Sequence, residues 1–214
     1  MSIVVEDWGR TRYREALERQ LTAVEERIDG GTDRLIFTEH QPVYTVGRRK
    51  DAIQHLLLDS DALAERGIDL VETTRGGDIT YHGPGQIVGY AVLSLDHRRD
   101  LHGYLRDLEQ VLINALMTVG LAASRREGLT GIWLENRKIA AIGVAVKRWI
   151  SYHGFALNMD PDMSAFAGIV PCGITNEEGR VTSLRQELAD LTPTTDEMKK
   201  ILAAEFEKIF DSEP

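Results

Sequence analysis

Cysteine is nearly absent from this 214-residue sequence, and the single exception is Cys172. That excludes an internal disulfide framework and a cysteine-rich zinc site, and it suits a reducing cytoplasm. Long apolar runs are missing as well. The longest strongly apolar stretch is IAAIGVAV, residues 139–146, far short of the ~20 residues that cross a bilayer as a helix. The opening MSIVVEDWGR has no basic region and reaches Glu6 and Asp7 at once, so neither signal peptide nor membrane span is expected, and the protein reads as cytoplasmic with no membrane partner. Net positive charge is lacking too. A balance of −9 argues against a general nucleic-acid binder, which needs a basic surface to neutralise phosphates. HExxH and paired CxxC do not occur, so no metal site is expected, and no cofactor. No Pro/Ser-rich or Gly/Ser-rich linker divides the chain, and 43% hydrophobic residues suffice for one sizeable core, so residues 1–214 read as one domain.

What is present is periodic. Tyr13, Leu17, Leu21, Val24 and Ile28 recur at helical spacing and predict an amphipathic helix over 11–28. DRLIFTE and VYTVG read as short strands around His40-Gln41-Pro42, IDLVETT as another at 68–74, and QIVGYAVLSL at 86–95 as a strand covered on both faces. Leu101, Tyr104, Leu105, Leu108, Leu112, Ala115, Leu116 and Val119 form a second helical stripe closed by Gly120. GIWLE and KIAAIGVAVKRW, separated by Asn136-Arg137, read as a hairpin, with WISYHGFALNM as a third strand. A last helix is expected over about 195–210, with Thr194 and Glu197 spaced for a capping box and Met198, Ile201, Leu202, Phe206 and Ile209 inward. Hairpin-linked strands with helices between them predict an α+β fold with a mixed, largely antiparallel sheet and surrounding helices.

Four features carry chemistry. Cys172 sits in IVPCGITN between Pro171 and Gly173, where a turn fixes the backbone and leaves room for a ligand; a lone cysteine is otherwise a small buried hydrophobe. RGGDITYHGPGQ, residues 75–86, places four glycines in twelve residues between two strands. That is longer than a hairpin loop needs and lacks the GK[ST] of a phosphate loop, so it reads as a ligand-binding loop with Arg75 and His82 as its polar members. Lys138 opens KIAAIGV. Strand alternation puts it on the face of Ala140, Ile142 and Val144, either snorkelling at the strand end or as an amine beside a reacting centre. The small residues Ala140, Ala141 and Gly143 leave space for a slender apolar substrate. His153, in YHGFALN, could be a satisfied core histidine, the commoner case for any single histidine. GRRK at 47–50 and VKRW at 146–149 are basic clusters, either solvated surface or docking sites for acidic partners.

Taken together and in order, EHQPVYTVGR, RGGDITYHGPGQ, GIWLENRKIAAIGV, HGFALN and IVPCGI, over about residues 35–185, resemble the lipoyl(octanoyl) transferase family. The resemblance implies the catalytic-domain fold of biotin and lipoate protein ligases. It also implies transfer of octanoyl from octanoyl-acyl carrier protein to a lysine of a lipoyl domain, in 2-oxoacid dehydrogenase complexes or the glycine cleavage H protein. By the family's pattern Cys172 is the acyl-thioester nucleophile and Lys138 its partner. Arg75, Gly76, Gly77, Asp78, Ile79, Thr80, Tyr81 and His82 line the substrate site, with Ala141, Ile142, Gly143, Gly154, Phe155 and Ala156. Asp78 departs from the Gln expected there. Thioester chemistry needs no ATP, and a thiol beside an amine favours thiolate plus ammonium. The competing readings are an ATP-dependent lipoate or biotin ligase of the same fold and a cysteine thioesterase.

Overall fold

The structure, a computed structural model, describes residues 3–170 and 179–211. Strand β1 (Val4–Thr11), helix α1 (Tyr13–Ile28) and strand β2 (Arg34–His40) open the chain as a strand–helix–strand unit, and β1 pairs parallel to β2. A helix between them is what a parallel pair requires, because a tight turn cannot reverse the chain twice. Strand β1 carries an irregularity between Asp7 and Arg10, where Gly9 adopts φ +64°.

Next come β3 (Val43–Val46), α2 (Ser60–Glu65), β4 (Asp69–Glu72), β5 (Thr80–His82), β6 (Gln86–Val92) and α3 (Leu101–Thr118). They are followed by β7 (Ser124–Arg126), β8 (Leu129–Leu134), β9 (Arg137–Lys147), β10 (Ile150–Asn158), β11 (Arg180–Val181), α4 (Leu184–Leu188) and α5 (Thr195–Phe210). The large sheet runs β1-β2-β6-β10-β9-β8-β7, with β11 beside β9, and a small sheet runs β4-β3-β5. In the large sheet the β1–β2 and β9–β11 pairs are parallel and the others antiparallel. The α+β architecture expected from the sequence is the one found.

Strand β6 is buried along its whole length because both faces of the sheet are covered. On one face Leu35, Phe37, Ile87, Ala91, Phe155 and Leu157 pack with Leu108, Leu112 and Leu116 of α3 and with Met198, Leu202 and Phe206 of α5. Ile36, Val88, Tyr90 and Ala156 face Ala16, Ala23 and Val24 of α1 on the other. Helix α5 has the expected capping box at Thr194 and Glu197. In α1 the expected stripe is turned: Ala16, Gln20 and Ala23 are buried, while Leu21 is 39% exposed. Two alanines let the helix approach the sheet more closely than leucines would. Leu101, expected inward on α3, is also exposed.

The hairpin turns differ slightly from expectation. Leu134 pairs with Arg137, so the β8–β9 turn is Glu135-Asn136. The β9–β10 turn is Arg148-Trp149, with φ of +49° and +60°, the signs that a two-residue hairpin turn matching strand twist demands. More consequential is a bulge. Ile132 pairs with Ala140 but Trp133 with Lys138, leaving Ile139 as an extra residue on β9. Ile139, Ala140, Ile142 and Val144 all enter the core. The simple alternation expected for Lys138 is thereby broken, and Lys138 shares the opposite face with Ala141 and Gly143.

Phe206 is fully buried and Leu191 is 83% exposed. Phe206→Ala is expected to lower unfolding free energy by about 3–5 kcal/mol, and Leu191→Ala to change it by less than about 0.5 kcal/mol. Urea titrations of the two variants check this contrast.

Candidate functional site

Residues of both sheets line a cavity of about 210 Å³. Its floor is the large sheet. Register places Ala141, Ala156 and Val88 in one row across β9, β10 and β6, and Gly143, Gly154 and Tyr90 in the next. Small side chains in these rows leave the space open. Its roof is Thr80 and His82 of β5 and the loop carrying Arg75, Gly77 and Asp78, and Tyr13 at the start of α1 also lines it.

Arg75 braces the roof, and its neighbour Gly76 ties the roof to the floor. Arg75 Nη2 donates to the Thr45 carbonyl at 2.6 Å and to Thr45 Oγ1 at 2.9 Å. The neighbouring Gly76 N–H donates to the Val144 carbonyl of β9 at 2.8 Å. Such an approach needs a floor without side chains: a Cβ at Gly143 would stand 2.9 Å from the Gly76 carbonyl oxygen and 3.2 Å from Arg75 Cδ. Gly143 is therefore filled by the roof loop instead of opening a channel, and Ala140 lies in the core. Of the three small residues expected to make room for substrate, only Ala141 does so with its side-chain position.

Two hydrogen-bond relays fix the polar end of the cavity. In the first, Thr38 Oγ1 donates to the Gly9 carbonyl at 2.9 Å, so it accepts from Thr11 Oγ1, which in turn accepts from His40 Nδ1 at 3.2 Å. The other ring nitrogen, His40 Nε2, then accepts the Tyr90 hydroxyl at 2.6 Å. In the second, Asn158 Nδ2 donates to the Thr182 carbonyl at 2.9 Å and Gln86 Nε2 donates to Asn158 Oδ1 at 2.8 Å and to the Tyr81 carbonyl. Gln86 Oε1 is left to accept from His82 Nδ1 at 2.6 Å. Both amides are oriented by backbone carbonyls, which only accept.

The histidines of this region are neutral. Burial holds His40 down to about 4 and His82 to about 3, and for His82 the adjoining His40 and Arg75 add to the effect. Burial also holds His153 at about 3, with Arg75 contributing. His153 has φ +60° within β10, and its N–H is taken by Gln20 Oε1 of α1 at 2.9 Å. Burial pushes the Tyr13 phenol up to about 12.

Lys138 is 5% exposed, with Nζ 5.4 Å from the centre of the Trp133 ring. Gly131 makes room for it, since a Cβ there would lie 2.6 Å from Lys138 Cε. Lys138 lines the cavity and also a neighbouring groove whose walls include Phe166, Val170, Gly179 and Val181. Cys172 lies outside the described residues. Val170 and Gly179, the described residues on either side of 171–178, both line that groove.

The model of the lipoyl protein ligase A/B catalytic domain matches residues 12–207. An octanoyltransferase of Gloeobacter violaceus is 45% identical over 194 residues, covering 90% of this chain and 82% of that one. One from Mycobacterium tuberculosis is 43% identical over 206 residues, covering 95% and 85%. The chain belongs to the octanoyltransferase family. It is an acyltransferase, as the resemblance implied. A bipartite lipoate protein ligase from Thermoplasma acidophilum superposes with a TM-score of 0.78 over 99% of this chain and 84% of that one, at 20% identity. A biotin protein ligase from Aquifex aeolicus gives 0.55 over 98% and 69%, at 9% identity. These two share the fold.

Within this octanoyltransferase cavity the structure brings together Arg75, Gly77, Asp78, Thr80, His82, Lys138, Ala141, Ile142, Gly143, Gly154, Phe155 and Ala156. Gly76 sits behind the wall as the bond to β9, while Ile79 and Tyr81 point into the separate core beneath the small sheet. The RGGDITYHGPGQ block is thus not one loop: Thr80–His82 is strand β5, paired with β3. Asp78 is buried and accepts from Arg49 Nη1 at 3.0 Å, pairs with His55 Nδ1 at 2.8 Å and accepts from the Ile79 N–H at 2.7 Å. Tyr13, Arg49, Val88, Tyr90 and His153 also line the cavity. No motif marked Tyr13, Val88 or Tyr90, whereas Arg49 belongs to the basic GRRK cluster and His153 stands in the HGFALN block. Among the described residues no group of three or more His, Cys, Asp or Glu is placed to hold a metal, and no helix is long and apolar enough to cross a membrane.

Gly143→Ala is expected to weaken the Gly76–Val144 bond, read as faster hydrogen exchange at the Gly76 amide, with Ala141→Gly as the control that leaves it unchanged. The depressed histidines make a second prediction. Between about pH 6.5 and about 4 the unfolded chain binds protons that folded His40, His82 and His153 refuse, so stability is full above that window and is lost as pH falls through it. The slope is up to about 1.4 kcal/mol per pH unit for each histidine. Urea titrations from pH 7.5 to 4 check it, and His153→Gln should remove one histidine's share.

Proposed function

We propose that this protein transfers an octanoyl group from octanoyl-acyl carrier protein to a lysine of apo-lipoyl domains, through an acyl thioester on Cys172 with Lys138 as general acid and base. The observation that carries the reading is the position of the Lys138 amine, held by Gly131 and Trp133 between an acyl-sized cavity and the groove lined by Val170 and Gly179. Cys172 is two residues from Val170 in sequence, and two residues reach at most about 7 Å. Family membership supports the octanoyl group, and a structural relative described together with its E2 lipoyl domain supports the class of acceptor.

In the first half-reaction the Cys172 thiolate attacks the carrier's thioester carbonyl, and the carrier thiol leaves with a proton from the Lys138 ammonium. The octanoyl chain occupies the cavity, where each buried methylene contributes ~0.8 kcal/mol. In the second, a neutral acceptor amine attacks the Cys172 thioester, the carbon–nitrogen bond forms as carbon–sulfur breaks, sulfur leaves as thiolate and Lys138 takes the amine proton. The acyl donor is already activated, so no ATP is consumed. The acceptors are lipoyl domains of 2-oxoacid dehydrogenase complexes and the glycine cleavage H protein, met in the cytoplasm. The exposed Arg48 and Lys50 beside the cavity's Arg49 supply positive charge for acidic carrier and acceptor domains.

Intact-protein mass spectrometry after mixing with octanoyl-acyl carrier protein, without ATP, should show one octanoyl adduct that disappears on adding an apo-lipoyl domain. Cys172→Ala should give neither adduct nor product. Lys138→Ala should slow transfer about 10²- to 10⁴-fold. An active Cys172→Ala protein, or a requirement for ATP, overturns the reading.

A further inference from the structure

The three buried histidines near the cavity are not equivalent. His40 Nε2 is filled by the Tyr90 hydroxyl, and His153 Nε2 faces the Thr74 hydroxyl at 3.3 Å. His82 is different. Its Nδ1 is committed to Gln86 at 2.6 Å, and among the described residues no hydrogen-bond partner meets its Nε2. The residue is 7% exposed and lines the cavity that Lys138 also lines. Because Gln86 Oε1 only accepts, His82 must carry its proton on Nδ1, and Nε2 meets the cavity as a lone pair.

We propose that His82 Nε2 accepts a hydrogen bond from the attacking amine, and that Gln86 and Asn158 are positioning residues that hold it in that role. The inference rests on the acyl-transfer reading above. The relay that orients His82 is anchored next to the general base: Thr182, whose carbonyl accepts from Asn158, donates its own N–H to the Lys138 carbonyl at 2.9 Å. Lys138, Gln86 and Asn158 also line one small space of about 20 Å³, enough for a single water. A primary amine attacking a thioester carries two hydrogens. One leaves to Lys138 as the carbon–nitrogen bond forms, and the other stays on nitrogen in the amide. An acceptor that does not titrate suits the second hydrogen, since it aims the nitrogen lone pair at the carbonyl without removing the proton.

The groups facing His82 are His40 from β2, Arg75 from the roof loop, His153 from β10 and the stacked ring of Tyr13 from α1. None supplies a carboxylate. Replacing Gln86 by Glu makes the acceptor for Nδ1–H negative and lifts His82's affinity for a second proton, and it also removes the amide that donates to Asn158 Oδ1 and the Tyr81 carbonyl.

The experiment uses the full chain labelled with ¹⁵N-histidine. Long-range ¹H–¹⁵N spectra report which ring nitrogen carries the proton, and rapid-quench mass spectrometry follows octanoyl-Cys172 formation and its aminolysis by an apo-lipoyl domain separately. Wild type should show the Nδ1–H tautomer. Gln86→Leu should lose it and slow aminolysis roughly 10- to 100-fold, the scale of one strong hydrogen bond, while thioester formation changes less than about twofold. Gln86→Glu should keep Nδ1–H, lose no more rate at high pH than Asn158→Leu does through the severed Asn158 link, and lose further rate on acidification at a pH where wild type does not. Asn158→Leu, acting one step further away, should repeat the Gln86→Leu pattern more weakly, and serves if that variant fails to fold. The proposal is overturned by an Nε2–H tautomer in wild type, by normal aminolysis in a variant whose tautomer has switched, or by equal loss in both half-reactions. A wild type that forms no thioester overturns the acyl-transfer reading and this role with it, and is told apart by a spectrum that still shows Nδ1–H.

Discussion

Between Lys138 and Ala140, strand β9 has one residue more than strand β8 opposite it, and the wall of the cavity depends on that residue. With regular alternation Lys138 would share a face with Ala140, Ile142 and Val144, among the leucines of α3 and α5. An ammonium there would lose several kcal/mol of hydration. The bulge sends both Ile139 and Ala140 to the core and swings Lys138 over to Ala141 and Gly143. Its cross-strand neighbours complete the fit, Trp133 as an aromatic surface for the amine and Gly131 as the gap that admits its stem. A strand that is nearly all apolar thus presents one amine to a cavity without an amine in the core.

The second sheet makes this wall into an enclosure. Its contact with the floor rests on backbone approach, through Gly76 to Val144, while the Arg75 guanidinium braces the roof loop against Thr45 of β3. Asp78 continues the same line outward, joining the roof loop to Arg49 and His55. The His55 carbonyl accepts the N–H of Val170 at 2.8 Å. Position 78 therefore communicates with the groove wall through one side chain and one backbone bond. Aspartate suits this place because each of its oxygens takes a different partner.

Much of the fold could be read from sequence. The capping box of α5, the stripe of α3 and the double burial of β6 follow from residue type and period. What escaped has a common cause. Strand β1 is exposed on most of its residues and offers no apolar alternation, and the bulge at Ile139 leaves no mark in a run where both neighbours are apolar. At the site, blocks of unusual composition named Arg75, His82 and Lys138. Tyr13, Val88 and Tyr90 belong to ordinary helix and strand patterns, and only the register of three strands and the docking of α1 bring them to the same cavity. Gln86 and Asn158 were invisible as a relay because the bonds that orient them reach 72 residues from Gln86 to Asn158 and 24 from Asn158 to Thr182.

Strand β1 also ends the large sheet on one side, and a free edge is where a second chain adds most readily. Its outer rim is broken by the irregularity at Gly9, which turns its amide to the Asp7 carboxylate at 2.9 Å. Glu6, Asp7 and Arg10 are drawn into ion pairs with Arg34, Lys199 and Glu39 along the same short stretch. A copy approaching in register would meet a bent backbone and charged side chains. Both features work against lateral pairing at this edge of the sheet.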